Sequence, residues 1–274
     1  MTKRRYAAVG LTFVIVLGVL MAFPSVRAAA GDFLGLFRVQ KFAPISVSPR
    51  QLALLEQLSE QDMMPGEFVS TQEPGEPERV ESLSEASERA GYRIRTLPFR
   101  QELDEIYVTG AGSGYVIVNL AGARAIVEAA GADPLLLPDS LEGARIDVHV
   151  YQAVQQLFRD GYTLMQTQSP EISYPPGVDP TLLGEAVLQV LGMDADSARR
   201  TAGTIDWTST LLLPIPQEMG TYREVTISGG PGVLIEPINP DEDPAVMWQR
   251  DGILYMLTGP VFSEDLIQQA NAVN

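Results

Sequence analysis

His149 is the only histidine in the chain and cysteine is absent, so acid–base and metal chemistry must come from one imidazole and scattered carboxylates. A single imidazole excludes a histidine metal cluster. The lack of thiols excludes cysteine zinc sites, disulfides and a lipobox. His149 lies in "ARIDVHVYQAV" on the strand face that carries Asp147 and Tyr151, with Ile146, Val148 and Val150 opposite, and this alternation predicts a half-buried strand with a solvent-facing imidazole. A hydrolytic triad would need serine and aspartate from distant positions.

"VTGAGSGY" places Gly110, Gly112 and Gly114 after a strand pattern. A phosphate loop must open a helix, so that its N-terminal amides face the anion. Here Tyr115-Val116-Ile117-Val118 continues as a β-branched run, which predicts a tight hairpin instead. Ser113 is not a nucleophile elbow, because Ala111 stands where the motif requires glycine. "NPDEDP" gathers Asp241, Glu242 and Asp243 but lacks the alternating order of a calcium loop, and it reads as a solvated loop. Trp207 and Trp248 lie beside strand patterns, where burial is the default and an apolar groove for lipid or peptide is the functional alternative. No catalytic, cofactor or metal site is expected.

The elements that position these residues are legible from caps and periodicity. Ser48 with Pro49 opens a helix over Leu52, Leu55 and Leu58. Ser82-x-x-Glu85 is a capping box whose helix stops at Gly91. "LAGARAIVEAAG" ends at Gly131, and Asp179, Pro180 and Gly192 bracket a helix with Leu183, Val187, Val190 and Leu191 inward. Strands are predicted at "RIRTLP", "EIYVTGAGSGYVIVNL", "ARIDVHVYQAV", "YTLMQTQSPEISYP", "STLLLPIP" and "TYREVTISGGPGVLIEP". Asp251-Gly252 centres a hairpin in "AVMWQRDGILYMLTGP". Ser263, Glu264 and Asp265 start a last helix burying Leu266, Ala270 and Val273. The fold class is therefore α+β, a mainly antiparallel sheet with helices packed on it, with a doubly wound parallel sheet as the weaker alternative.

Ahead of these elements, Lys3, Arg4 and Arg5 precede an apolar run of 18 residues, 6–23. As a helix it spans ~27 Å, between a signal h-region and a bilayer core of about 30 Å. The cations hold the N-terminus inside, so residues 31–274 are expected outside the cytoplasm, tethered by a single-pass helix. The alternative is secretion after cleavage beside Pro24 and Ala28-Ala29-Ala30. If the anchor is retained, Phe33, Leu34, Leu36 and Phe37 lie in the membrane interface. Removing Lys3, Arg4, Arg5 and Arg27 from the 19 cations leaves 15 against 35 acids, so the exported part carries −20. Nucleic acid and anionic lipid surfaces are disfavoured as partners. The chain divides into an anchor or signal at 1–30, a junction with strand, helix and acidic Pro-rich connector at 31–80, and an α+β domain at 81–274.

"MWQRDGILYMLTGPVFSEDLIQQANAV" resembles an uncharacterised domain family that forms the extracytoplasmic part of bacterial membrane-bound regulators of the anti-sigma-factor kind. Trp248, Gly252, Tyr255, Gly259, Ser263, Glu264 and Leu266 fill its pattern in order, and "FLGLFRVQKF" is similar to its membrane junction. The cytoplasmic zinc-type domain, with its His-x3-Cys-x2-Cys arrangement, has no counterpart in "MTKRR". The resemblance therefore implies a non-enzymatic sensory or regulatory domain that binds a protein partner or an apolar ligand and passes its output through a separate protein. A second likeness, resting on element order alone, is to periplasmic lipoprotein carriers, whose curved sheet encloses an apolar cavity. A carrier of lipid or lipoprotein is thus the alternative function, and a hydrolase the third.

Overall fold

The computed structural model describes residues 39–60, 63–98, 102–173 and 179–274, and the expected N-terminal helix at 6–23 lies outside them. Among the described residues no helix is long and apolar enough to cross a membrane. In chain order the elements are β1 (Lys41–Val47), α1 (Pro49–Glu60), β2 (Gly66–Gln72), β3 (Glu78–Val80), α2 (Leu83–Ala90), β4 (Leu103–Thr109), β5 (Gly112–Val118) and α3 (Leu120–Ala129). There follow β6 (Arg145–Val150), β7 (Ala153–Phe158), β8 (Thr163–Gln168), β9 (Glu171–Ser173), α4 (Pro180–Val190) and α5 (Ala195–Ala202). The last part holds β10 (Thr210–Pro216), β11 (Gly220–Ile227), β12 (Gly230–Pro237), β13 (Ala245–Arg250), β14 (Ile253–Thr258) and α6 (Ser263–Ala272). The class is α+β with mostly antiparallel sheets.

Local signals account for most of these boundaries. Ser82 Oγ accepts from Glu85 N at 3.1 Å, and Gly91 ends α2 at a φ of 75° that costs glycine little. Asp251 and Gly252, at φ 55° and 80°, make the two-residue turn between β13 and β14. Both central residues have positive φ, as the type I′ turn requires.

Eight strands run in the order β11-β12-β13-β14-β8-β7-β4-β3, four in the order β2-β5-β6-β9, and β1 pairs with β10 in parallel. The larger two sheets are one set of long strands folded over a corner. From Thr109↔Ala153 to Gly112↔Val150 both strands advance by three residues, so the pairing of β4 with β7 resumes in register as β5 with β6. Ala153↔Thr167 and His149↔Glu171 keep step in the same way. The hairpin expected at Gly110–Gly114 is therefore corrected: β4 and β5 are halves of one bent strand in different sheets.

Close approach explains why glycine recurs there. A Cβ on Gly112 would stand 2.9 Å from Pro74 Cδ, and one on Gly114 would stand 2.7 Å from Val69 O and 3.1 Å from Phe68 Cζ. Gly112 and Gly114 thus clear one face of β5, against which Pro74 of the connector and the Phe68 ring of the neighbouring strand β2 lie, whereas a Cβ on Gly110 would meet Gly75 N only at 3.5 Å. The strand expected at "RIRTLP" is also corrected, since 93–98 carries no ladder. Its backbone bonds to side chains at Ile94 and Arg95, and at Thr96 it exchanges two backbone hydrogen bonds with Asn274.

The main core lies between the two folded halves and joins Val118, Ile146 and Ile172 to Val233, Met247 and Leu254, with Leu58, Ala123, Leu183 and Leu213 from α1, α3, α4 and β10. A second core lies on the other face of the eight-stranded sheet, under α6, through Leu164, Leu234, Trp248, Tyr255, Leu257, Leu266 and Ala270. Because β1 pairs with β10, β2 with β5, and Leu58 enters the main core, residues 41–80 belong to the same packed body as 81–274.

Candidate functional site

The resemblance motif converges on the second core. Trp248 and Tyr255 face each other across β13 and β14, stacked at 5.0 Å and 10°, and are 1 % and 2 % exposed. Gln166 is the direct partner of Tyr255 on β8, and Gly232 that of Trp248 on β12. One row across four strands is thus amide, phenol, indole and bare backbone. A Cβ on Gly259 would stand 2.3 Å from Tyr162 Cδ1, so that glycine seats the tyrosine ring. Leu266 is fully buried under the sheet. Ser263 is the first residue of α6, after Phe262 at the N-cap position, and Glu264 is ion-paired with Arg223 on β11. Gly252 serves the turn.

A polar cluster sits beside this row. Gln166 Oε1 accepts from Arg95 N at 3.0 Å, and the Nε2 groups of Gln166 and Gln156 both donate to Arg95 O at 2.7 Å. Arg95 Nη1 donates to Tyr255 Oη at 2.8 Å and Nη2 to Asp251 Oδ2 at 2.6 Å. Tyr92 Oη donates to Gln166 O at 2.7 Å. The amides do for segment 92–98 what a neighbouring strand would do, holding it across the sheet. Among the described residues, Gln156 Oε1 is the buried side-chain oxygen left without a partner. This cluster was not legible in sequence, since nothing in the spacing of Arg95, Gln156 and Gln166 announces it.

The cluster has a titration signature. The Arg95 guanidinium holds Asp251 below the usual carboxylate range. Burial raises the Tyr92 and Tyr255 phenols, although Arg95 pulls Tyr255 the other way. The unfolded chain therefore releases these two protons first, near pH 10, and stability is complete below that pH and declines as pH rises through it. We expect the unfolding free energy from urea denaturation to fall between pH 9 and pH 11, by up to about 1.4 kcal/mol per pH unit for each phenol. Tyr92→Phe should flatten the slope, and a midpoint independent of pH would contradict the assignment.

A hydroxyl and an imidazole are in contact at the corner. Ser113 and His149 are direct partners on β5 and β6, and Ser113 Oγ is 2.7 Å from His149 Nδ1. The ring of His149 meets Tyr151 edge-on at 4.6 Å, and Glu171 is its partner on β9. Asp147 binds Arg145 through both oxygens, at 2.9 and 3.1 Å from Nε. Such a pair can move a proton, but acyl transfer also needs donors aimed at the developing oxyanion. The backbone around Ser113 and His149 is engaged in the β2–β5–β6–β9 ladders. Register alone brings these two residues together.

The remaining expected positions separate. Trp207 donates from Nε1 to Ala202 O at 2.9 Å and packs with Val187, Leu191 and Leu212 in a third core, so the two tryptophans do not share a groove. Its ring fills the space a Cβ would take on Gly184, whose ideal position is 2.0 Å from Trp207 Cζ2. Alanine for glycine inside a helix normally gains about 1 kcal/mol. Overpacking costs about 1–3, so Gly184→Ala should destabilise by about 1 kcal/mol in urea denaturation, and stabilisation would refute the contact. In the acidic loop Asn239 Oδ1 accepts from Asp241 N at 3.1 Å, and burial raises Asp243. Among the described residues no group of three or more His, Asp or Glu is placed to hold a metal. No protein-family model, curated protein or solved structure matches the chain.

Proposed function

We propose that the chain is a non-enzymatic, extracytoplasmic sensory or regulatory domain, tethered to the membrane through residues 6–23, that works by binding a protein. The observation that carries this reading is the division of labour between motif and surface. Trp248, Tyr255, Gly259 and Leu266 are spent on packing, and Arg95 on holding a segment in place. Large apolar side chains stand in solvent instead, Phe262 at 85 %, Leu135 at 75 % and Phe68 at 63 % exposed. Each is apolar surface that a bound partner would remove from water.

The carrier reading asks for an apolar cavity of at least several hundred Å³. Against it stands the direct packing of Leu183, Ala186 and Leu213 on Val233, Met247 and Leu254 between the two halves. Membrane fractionation with N-terminal sequencing tests the tether. The full chain should stay with the membrane after carbonate washing, and a soluble species beginning at Ala29 or Gly31 would overturn the anchor.

A further inference from the structure

Each sheet edge exposes backbone groups that a further strand can pair with, and folded proteins guard such edges with short strands, charges, bulges or covering elements. Among the described residues, β3 and β9 are three residues each. β11 is longer but guarded, because Arg223 is held by Glu264 of α6 and Ser228 N donates to Asn271 Oδ1. β1 and β10, seven residues each, form the edges of their own two-stranded sheet and are interrupted by Pro44 and by Pro214 and Pro216, which offer no N–H to a further strand. The long edge without such a guard is β2, which pairs with β5 on one side and with no described strand on the other. Its register is regular from Gly66 to Ser70, and the irregularity falls only between Ser70 and Gln72.

The side chains along this edge define an occupant. Phe68 is 63 % exposed, its ring lying where Gly114 has no Cβ, and Met64 just ahead is 48 % exposed. Glu67 points to the opposite face by strand alternation, and Glu73 and Glu76 follow in the connector, all exposed. None of the three glutamates forms an ion pair among the described residues, whereas Glu78 and Glu85 are neutralised by Arg89. The edge thus combines open backbone, an apolar landing place and unneutralised negative charge.

We propose that β2 accepts an extended, basic segment of a partner protein as an added strand, with apolar side chains beside Phe68 and Lys or Arg beside Glu67 and Glu73. This rests on the protein-binding reading and narrows it to one edge and one chemistry. Backbone pairing supplies the attachment and alternate side chains supply the choice of partner.

The test uses the full chain in detergent micelles, hydrogen exchange resolved over residues 66–72, and an alternating Lys–Val peptide as the probe. A Glu–Val counterpart and a Lys–Val peptide N-methylated at every amide, so that neither of its edges can donate, serve as controls. The Lys–Val peptide should slow exchange in 66–72, while each control and the Glu67→Lys/Glu73→Lys variant should bind at least tenfold more weakly. Equal binding of the N-methylated peptide would show attraction by charge without strand addition and overturn the proposal. Equal binding of the Glu–Val peptide would overturn the basic partner. Protection that maps elsewhere would overturn the edge while leaving protein binding standing, and the absence of protection anywhere would remove both.

Discussion

Trp248→Ala is expected to cost about 3–5 kcal/mol, because a large side chain at 1 % exposure leaves a cavity that the sheet and the helix packed on it cannot close. For a body of this size that is a fall of roughly 6–20 °C in Tm. The indole also carries the stack on Tyr255, and through Tyr255 Oη the position of Arg95. Fluorescence-monitored urea unfolding checks the loss, and an unfolding free energy within about 0.5 kcal/mol of the parent would mean the motif does not support the fold.

Gln166→Leu is the second large effect, because it leaves the half-buried Arg95 N without an acceptor and removes one of two donors to Arg95 O. One unsatisfied donor and one lost bond amount to about 2–4 kcal/mol. Gln156→Leu should cost less, since Arg95 O keeps Gln166 and the change also removes a buried oxygen that lacks a partner. Faster amide exchange in 92–98 for the Gln166 variant, and a smaller change for the Gln156 variant, is the expected pattern in mass-spectrometric exchange. Equal effects would mean the segment is held by something other than these amides.

Elements governed by local chemistry were legible. Asp251-Gly252 announces its turn through residues that tolerate positive φ, and Ser82 announces α2 through an oxygen three residues from the amide it caps. The misread elements are those in which a distant part of the chain supplies what the sequence neighbours usually supply. Ile94 and Leu97 are buried, and the alternation around them resembles a strand, but two glutamine side chains, Ser87 and the backbone of Asn274 stand in for the ladder. Gly110, Gly112 and Gly114 resemble a turn, but Gly112 and Gly114, two apart, make room for Pro74 and Phe68 on one face of a continuing strand. That spacing was the available signal.

The candidate sites divide along the same line. Trp248 and Tyr255 were legible as a pair because an Asp-Gly turn between them fixes the register of β13 against β14. Ser113 and His149, 36 residues apart, meet only because the pairing holds its register around the corner. The openness of the β2 edge depends on which strands pair elsewhere, and no local pattern contains that.

The separation of scaffold from binding edge is tested most directly by measuring Lys–Val peptide affinity and urea midpoint together for Phe68→Glu and Trp248→Phe. Phe68→Glu should lower affinity at least tenfold while moving stability by no more than about 0.5 kcal/mol, as an exposed substitution does. Trp248→Phe should lower stability and leave the affinity of the folded protein unchanged. Unaltered affinity in Phe68→Glu, or lost affinity in a fully folded Trp248→Phe, would contradict the account.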